Sequence, residues 1–330
     1  MPAADAFIAA SFADYVQSPG ASSLGGPMAA LVYEAKTGEV QSLGAPLKAV
    51  QSLDGQWSVG ETALGKQVMV PGAVAGLEAL HRRYGRLPWA ELVLPAARLA
   101  REGFPVTPLF ATITSAYAAA LTSSAYGRAA YLRPDASPYV VGSIIKLPVL
   151  AGTLESIARD GASYVQTGEW AKAAIVAVRE RGGKMTLADL ADYRPEWSKP
   201  LSITYRGRTI YGLGGHDSGG ARLLLALKVL EHADINRLGH PSESLDGLEA
   251  MVRISRAVSA EPLLNTHAFF EDPAAPAALL AGPVPRRIWE EVAAKLEPTP
   301  VPAKGSHSYA VAVVDAQGNA VTGTHTIESL

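Results

Sequence analysis

Hydrophobic and polar residues alternate with a strand-like period near both ends of the chain, whereas the long middle has a helical period. Apolar positions over residues 7–16 predict a helix that ends near Pro19. Residues 28–33 predict a strand, and the turn-forming residues 36–39 lead into a second strand. The chain is therefore predicted to begin with a helix and a β-hairpin.

From residue 71 onwards, apolar residues three or four positions apart indicate helices. Gly85 stands where a helix-terminating glycine is expected, and Pro95 predicts a kink or break because proline lacks an N–H donor. Thr186 and Asp189 form the pattern of a capping box, with aspartate in place of glutamate. The predicted helices cover approximately 73–84, 88–103, 107–123, 147–160, 167–181, 218–233 and 244–259.

Strand signals return in the last third of the chain. Residues 201–211 alternate around an Arg-Gly pair and predict a hairpin, whereas the Pro- and Ala-rich residues 271–285 predict irregular structure. The apolar run 308–314 and the more polar run 320–326 predict two strands joined by a turn at 315–319. Strands around a helical middle predict a mixed α/β fold, with one sheet completed by both ends of the chain and a helical layer.

Composition narrows the classes of function. The chain has 330 residues, of which 48% are hydrophobic and 18% charged, so a sizeable core is expected. Its net charge of -2 gives no basic surface for nucleic acid. The absence of cysteine excludes disulfides, thiolate metal sites and a cysteine nucleophile. None of the 7 histidines has the spacing of a metal-binding motif, and neither a metal nor another cofactor is predicted.

The termini carry little targeting information. The start of the chain has no basic segment of the kind that begins a signal peptide, and no apolar run reaches the roughly 18 residues of a membrane span. A cytoplasmic location is therefore favoured, with an exported protein that has lost its N-terminal signal as the alternative. The chain also stops just after a strand without a capping element, which predicts that it is cut short.

Three short segments are candidates for chemistry. The Ser-Gly-Gly segment 218–220 could form an oxyanion or phosphate turn, or only a helix N-terminus. The Gly-Gly pair 25–26 could let a ligand approach the backbone, or be a tight turn. The segment 304–311 (KGSHSYAV) places glycine and hydroxyl residues directly before a buried strand, where a serine is usually only a polar edge residue. A cut just before such a serine would free an α-amine with a pKa of about 8, which could deprotonate the residue's own hydroxyl.

Four segments, in this order and with matching spacing, resemble the γ-glutamyltranspeptidase family of N-terminal-nucleophile (Ntn) hydrolases. They are 70–77 (VPGAVAGL) with 84–85 and 99–104; 182–186 (GGKMT) with 189–190, 193 and 200–201; 218–220 with the helix that follows; and 313–321 (VVDAQGNAV). The resemblance implies an α/β (α+β) fold, namely the four-layer αββα sandwich of Ntn hydrolases. The sandwich is expected to be incomplete in this chain and to have a largely helical middle region.

The resemblance also implies a mechanism. Family members are made as one precursor that cuts itself before a threonine or serine, which becomes the nucleophile. Counting back from the segment 313–315 places this nucleophile at Ser308 and the cut between His307 and Ser308. Ser306 is the alternative, because it lies on the same face of an extended strand, and Thr326 matches a threonine that assists the nucleophile. The implied reaction is transfer or hydrolysis of the acyl group of an amide through a covalent acyl-enzyme.

Two positions depart from the family where it binds the amino-acid end of the substrate. Ser42 stands at the position of the glutamyl-binding arginine, and Glu328 at the position of an asparagine. Serine cannot replace an arginine fork on a carboxylate, so γ-glutamyl specificity is in doubt. The predicted substrate is a small amide or peptide-like molecule. An amidase, an acylase or a carbon–carbon bond hydrolase of a biosynthetic or catabolic pathway is the alternative.

The chain resembles a large subunit followed by the first strands of a small one. Residues 1–70 are expected to hold the first helix and strands, 71–195 the helical region, 196–307 the rest of the large subunit, and 308–330 the start of the small one. The Gly-Gly oxyanion segment of the family has no counterpart after Ser308. A small-subunit segment or a partner chain would complete the sandwich. A non-catalytic scaffold subunit or an inactive fragment is the alternative function.

Overall fold

The computed structural model describes residues 1–51, 65–215, 217–266, 269, 272, 274–295 and 308–326, which form a mixed α and β structure. Its strands are β1 (Met28–Glu34), β2 (Glu39–Ala45), β3 (Phe104–Pro105), β4 (Ile144–Ile145), β5 (Glu196–Ser198), β6 (Leu201–Tyr205), β7 (Arg208–Gly212), β8 (Ser308–Val314) and β9 (Ala320–Thr326). Its helices are α1 (Ala3–Gln17), α2 (Ala73–Tyr84), α3 (Trp89–Glu102), α4 (Pro108–Ala116), α5 (Ala118–Thr122), α6 (Ala125–Tyr131), α7 (Pro148–Asp160), α8 (Ser163–Gln166), α9 (Glu169–Glu180), α10 (Leu187–Ala191), α11 (Ser218–Leu230), α12 (Ile235–Leu238), α13 (Leu245–Ala260), α14 (Ala275–Ala281) and α15 (Val284–Ala293).

The chain divides into two compact units. The first contains Met1–Glu39, Ala45–Pro195 and Ser306–Leu330, and the second contains Val40–Gly44 and Glu196–Gly305. Strands from both ends of the chain therefore belong to the first unit. There, β1 pairs with β9, which confirms the prediction that both ends of the chain build one sheet.

In the first unit, β9 lies between β1 and β8, and both pairings are antiparallel. The β8–β9 register places Ser308 opposite Thr326. At the other end of this hairpin, the Asp315 carboxylate accepts the backbone N–H groups of Gln317 and Asn319, each at 2.9 Å. The hairpin predicted from the alternation and the turn residues is thus confirmed, because its signals are local.

Helix α1 covers one face of this sheet. It packs against β8 and β9 on one side and against α2 and α3 on the other, so most of its side chains are buried. Its first turn is tied to the β8–β9 turn, because the N–H of Ala3 donates to the Asp315 carboxylate at 3.1 Å. The buried carboxylate of Asp5 accepts the N–H groups of Arg86 and Leu87 between α2 and α3. These bonds offset the cost of burying the Asp5 charge.

Helix α3 continues through Pro95, so of the predicted kink or break, the break is wrong. The proline ring deprives the Glu91 carbonyl of its helical donor, but Pro95 and Glu91 lie on the exposed face, where water can replace that donor. The opposite face is buried and includes Leu92 and Val93. Its packing against α1 and α7 stabilises the helix across the proline.

The ends of the helices can be compared with the helix boundaries predicted from the sequence. The capping box is confirmed: Thr186 Oγ1 accepts the N–H of Asp189 at 3.3 Å, and the Asp189 carboxylate accepts the N–H of Thr186 at 2.7 Å. Gly85 ends α2 as predicted, with extended backbone (φ -64°). Glycine is required there because a side chain would overlap the ring of His81. The helix predicted over 107–123 is divided at Tyr117 into α4 and α5.

The second unit combines short strands with a helical core. β2 pairs with β5. β6 pairs with β7, which confirms the hairpin predicted over 201–211. The irregular structure predicted over 271–285 is wrong, because α14 and the start of α15 occupy much of it. Pro276 and Pro285 lie in the first turns of these helices, where a missing N–H is tolerated. The buried core of this unit includes Ile203, Leu224, Leu225, Val229, Ile254, Val258, Leu279 and Ile288.

Candidate active site

Ser308 and Thr326 lie opposite each other at the open end of the β8–β9 hairpin. As direct cross-strand partners they project from the same face of the sheet, with Cβ atoms roughly 5 Å apart. Ser308 is exposed and is the first residue of its strand. The register thus brings the two candidate catalytic hydroxyls together, and their catalytic roles remain predictions.

The two faces of this sheet differ sharply in burial. Alternate residues of β9, among them Val321 and His325, are buried against α1. The opposite face carries Ser308 and Thr326 and is open, and Val314 at its far end is 73% exposed. Between the Ser308–Thr326 pair and Val314, the open face is lined by Ala310, Ala312, Thr322 and Thr324. The candidate site therefore lies at one end of an uncovered, largely uncharged sheet face.

The Gly-Gly pair 25–26 lies beside the end of β9. A side chain at Gly26 would overlap the carbonyl oxygen of Thr326, so only glycine fits there. The Gly26 carbonyl accepts the N–H groups of Gly72 and Ala73, at 3.2 and 2.9 Å, where α2 begins. Of the two interpretations of this pair, the structure supports the tight turn, because the Gly26 N–H donates to the Ser23 carbonyl at 3.1 Å. The packing of Gly26 also connects the end of β9 to α2.

The substitution Gly26→Ala is expected to destabilise the protein by about 2–4 kcal/mol, because the new methyl group must displace the backbone of β9 rather than a flexible side chain. The displacement also moves Thr326 relative to Ser308, so the predicted cut before Ser308 should slow. Thermal unfolding and the mass-spectrometric fraction of cut chain measure these two effects.

Gly152→Ala is the matched control for this substitution. A side chain at Gly152, in the middle of α7, meets nothing within 4 Å, and alanine there should stabilise the helix by up to about 1 kcal/mol. Wild-type stability in Gly26→Ala would contradict the close approach of Gly26 to β9.

Ser42, the predicted position of a lost substrate contact, lies in β2 in the second unit. It is only 1% exposed, and its hydroxyl accepts the N–H of Gly214 at 3.0 Å. The hydroxyl is therefore used to hold the backbone that follows β7. The loss of the family's substrate contact at this position remains a prediction.

The Ser-Gly-Gly segment 218–220 forms the first turn of α11. The Asp217 carboxylate accepts the N–H groups of Gly219 at 2.7 Å and Gly220 at 3.4 Å. This confirms the helix N-cap interpretation. Because Asp217 occupies these donors, they are not available to an oxyanion.

A buried polar cluster, which was not predicted from the sequence, lies beneath the candidate site. His325, which precedes Thr326, has Nε2 2.9 Å from Ser11 Oγ and Nδ1 2.8 Å from the Tyr15 hydroxyl. Burial lowers the pKa of His325 to about 4, so the ring is neutral at neutral pH. One signal was present: Ser11 and Tyr15 are four residues apart on a largely apolar helix, and so share one face.

Three predicted site residues, Ser306, His307 and Glu328, lie outside the described residues. Two of the histidines, His216 and His267, also lie outside them. Within the described residues, no three His, Asp or Glu side chains are grouped as metal ligands. No helix in this part of the chain is long and apolar enough to cross a membrane.

Comparisons with known proteins agree on one family. The family model described as Gamma-glutamyltranspeptidase matches residues 2–330. Glutathione hydrolase 5 proenzyme of Rattus norvegicus is 34% identical over 241 residues, which cover 69% of this chain and 41% of that protein. Acylase ACY 1 proenzyme of Pseudomonas sp. (strain SE83) is 31% identical over 273 residues, 80% of this chain and 48% of that protein.

A solved structure supports the same relationship. The crystal structure of Helicobacter pylori gamma-glutamyltranspeptidase superposes with a TM-score of 0.78 at 26% sequence identity, covering 90% of this chain and 86% of that chain. The chain spans about half the length of the curated relatives it matches.

Proposed function

This chain belongs to the gamma-glutamyltranspeptidase family, and on that basis we propose that it acts as a self-cleaving Ntn hydrolase. It cuts its own His307–Ser308 bond and then transfers or hydrolyses the acyl group of a small amide. The observation that carries the proposal is the cross-strand pairing of Ser308 with Thr326 at the exposed end of β8. This pairing places a second hydroxyl beside the nucleophile, on the open face of the sheet.

The first reaction is the cut itself. Ser308 Oγ attacks the carbonyl carbon of His307, the C–N bond breaks, and the nitrogen of Ser308 takes the hydroxyl proton. The His307 carbonyl is then held as an ester on Ser308, and water hydrolyses it. The products are a carboxylate on His307 and a Ser308 that carries both a free hydroxyl and a free α-amine.

The second reaction repeats this chemistry on a substrate. The α-amine of Ser308, whose pKa is about 8 in an unperturbed terminus, accepts the hydroxyl proton as Oγ attacks the substrate carbonyl. The proton passes to the leaving amine, and the acyl group remains as an ester. Water then releases a carboxylic acid, or an amine acceptor takes the acyl group. The Thr326 hydroxyl assists by hydrogen bonding to the Ser308 hydroxyl across the ladder.

The complete fold is proposed to be the four-layer αββα sandwich. The support is the open face that holds the site: among the described strands, β8 is the outermost of the β1–β9–β8 ladder, and its apolar residues are largely exposed. An open apolar sheet face with an unpaired edge strand is normally covered in a native protein. A second sheet, from a small-subunit segment or a partner chain, is the proposed cover and the proposed source of oxyanion donors.

An acylase or amidase specificity is favoured over a γ-glutamyl one. In the second unit, the Ser42 hydroxyl is buried and bonded to Gly214. A serine hydroxyl carries no charge. Because this one is also buried and already bonded, it has little freedom to bind a substrate carboxylate. The similarity to an acylase proenzyme is consistent with this choice.

The substrate proposal is tested by comparing γ-glutamyl-p-nitroanilide with butanoyl-p-nitroanilide, whose acyl group has no charged end. Release of p-nitroaniline from either tests the proposed function. Without the arginine contact, the ratio of kcat/KM for the two should stay within about 10-fold. A buried charge pair with the substrate carboxylate would instead contribute about 2–5 kcal/mol, which corresponds to a roughly 30- to 5,000-fold preference for the γ-glutamyl substrate.

Ser308→Ala is the control for background hydrolysis in this comparison. A preference for the γ-glutamyl substrate above about 100-fold would contradict the proposed specificity and leave the proposed nucleophile intact.

A further inference from the structure

We propose that His325 is a positioning residue for the Ser308–Thr326 pair: together with Ser11 and Tyr15 it anchors the end of β9 to helix α1 from the face opposite the site. The inference rests on the proposed function, because it assigns His325 a role in that reaction. His325 is fully buried and adjoins Thr326 in sequence. Neighbouring strand residues project to opposite faces, so its ring lies beneath the sheet and Thr326 above it.

The hydrogen bonds determine which ring nitrogen carries the proton. The Ser11 hydroxyl donates to the Phe7 carbonyl at 2.7 Å, so its single hydrogen is used there. Ser11 Oγ must therefore accept from His325 Nε2–H at 2.9 Å. Nδ1 is then unprotonated and accepts the Tyr15 hydroxyl hydrogen at 2.8 Å. Every polar atom of the cluster is satisfied by one tautomer of the neutral ring.

Ring packing further restricts where His325 can lie. The Phe7 ring is 5.5 Å away, centroid to centroid, and the Tyr15 ring meets it edge-on at 5.3 Å. On the strand side, Met28 of β1 and Tyr309 of β8 are its cross-strand partners. The ring is thus held by packing and by two directional bonds, which fixes the end of β9 along its own axis.

Helix α1 holds the hairpin at both ends. At the turn, the Ala3 N–H donates to Asp315, and at the open end Ser11 and Tyr15 bind His325. Helix α1 has 15 residues and β9 has 7, so their lengths, roughly 22 and 23 Å, match. A slip of β9 relative to α1 would break the His325 bonds and would move Thr326 away from Ser308.

The test uses Tyr15→Phe in the full-length protein, because phenylalanine keeps the ring and removes only the hydroxyl that Nδ1 accepts. We expect the rate of the cut before Ser308 and the kcat for butanoyl-p-nitroanilide to fall about tenfold, with KM unchanged. Tyr193→Phe is the matched control. Tyr193 is buried like Tyr15, with exposures of 2% and 4%, and its hydroxyl donates to the Pro46 carbonyl at 2.7 Å.

The control should lose stability in the same way while keeping both rates. Equal losses of rate in the two variants, or no loss in Tyr15→Phe, would overturn the role of His325. A wild-type protein that neither cuts itself nor releases nitroaniline would instead overturn the proposed function, and the positioning role with it.

A spectroscopic measurement tests the arrangement independently of activity. Side-chain ¹⁵N shifts of His325 should show a proton on Nε2 and none on Nδ1, and the Nδ1 shift should move in Tyr15→Phe but not in Tyr193→Phe. A proton on Nδ1 at neutral pH would contradict the hydrogen-bond assignment and overturn the inference.

Discussion

Replacing Ser308 by alanine is expected to leave the chain uncut and to lower amide hydrolysis by at least about a thousand-fold. The variant removes the Oγ that forms the bond in both proposed reactions, and the uncut chain also lacks the α-amine that acts as base. Ser308 is exposed at a strand end, so the substitution leaves the core unchanged and folding should be preserved. Intact-mass measurement and nitroanilide hydrolysis read out the two steps separately.

Ser306→Ala and Ser308→Thr are the controls that make this result specific. Ser308→Thr retains a hydroxyl in the same position and should still cut. Ser306→Ala tests the alternative nucleophile, two residues earlier, and should behave as wild type. If Ser306→Ala is the variant that blocks cutting, while Ser308→Ala cuts normally, the assignment to Ser308 is wrong.

Acidification from pH 6.5 to pH 4 is expected to reduce the free energy of unfolding by about 3 kcal/mol through His325 alone. The pKa of His325 is about 4 in the folded chain, lowered by burial from an ordinary value of 6.5. Between these values the unfolded chain binds the proton and the folded chain does not. The contribution of His325 is therefore complete above about pH 6.5, falls through this window, and is lost below about pH 4.

Neighbouring ionisable groups decide how this effect must be measured. Helix α1 contributes Asp14 and Tyr15, and β8 contributes Tyr309 opposite His325. Burial raises the pKa of Asp14, so its protonation on acidification favours the folded chain and opposes the effect of His325. Comparison with His325→Gln, which keeps a polar side chain without a titrating ring, removes this background.

In denaturant unfolding at a series of pH values, the wild type should lose stability between pH 6.5 and 4 more steeply than His325→Gln. The two curves should therefore converge at the acid end. Parallel curves across this range would show that His325 is not buried as a neutral ring.

The sequence was sufficient where the signal is local. The β8–β9 hairpin followed from alternating residues on either side of a turn with Asp315 and Asn319, and the capping box followed from Thr186 and Asp189 three residues apart. In both cases the groups that stabilise the element lie within a few residues of each other. The pairing of Ser308 with Thr326 follows from the same hairpin register.

The sequence was insufficient where tertiary packing decides. Pro95 indicates a kink or break, but the buried face of α3 packs against α1 and α7 and keeps the helix continuous. Proline and alanine at 271–285 indicate irregular structure, but Pro276 and Pro285 occupy first turns of helices, positions that composition does not distinguish.

The candidate site was likewise only partly predictable from the sequence. Its two hydroxyls were identified from the chain, whereas the cluster beneath them joins Ser11 and His325, which are 314 residues apart in sequence. No local pattern links these residues, since a lone histidine in a strand gives no indication of its partners. The cluster is recognised only once α1 is seen to lie on β9.

The most direct test of the proposed self-cleavage is the mass and N-terminal sequence of the purified wild-type protein after incubation at neutral pH. We predict a fragment that begins Ser308-Tyr309-Ala310, formed without added protease and absent from Ser308→Ala. A chain that remains intact, or one whose new N-terminus is neither Ser308 nor the alternative Ser306, would contradict the account.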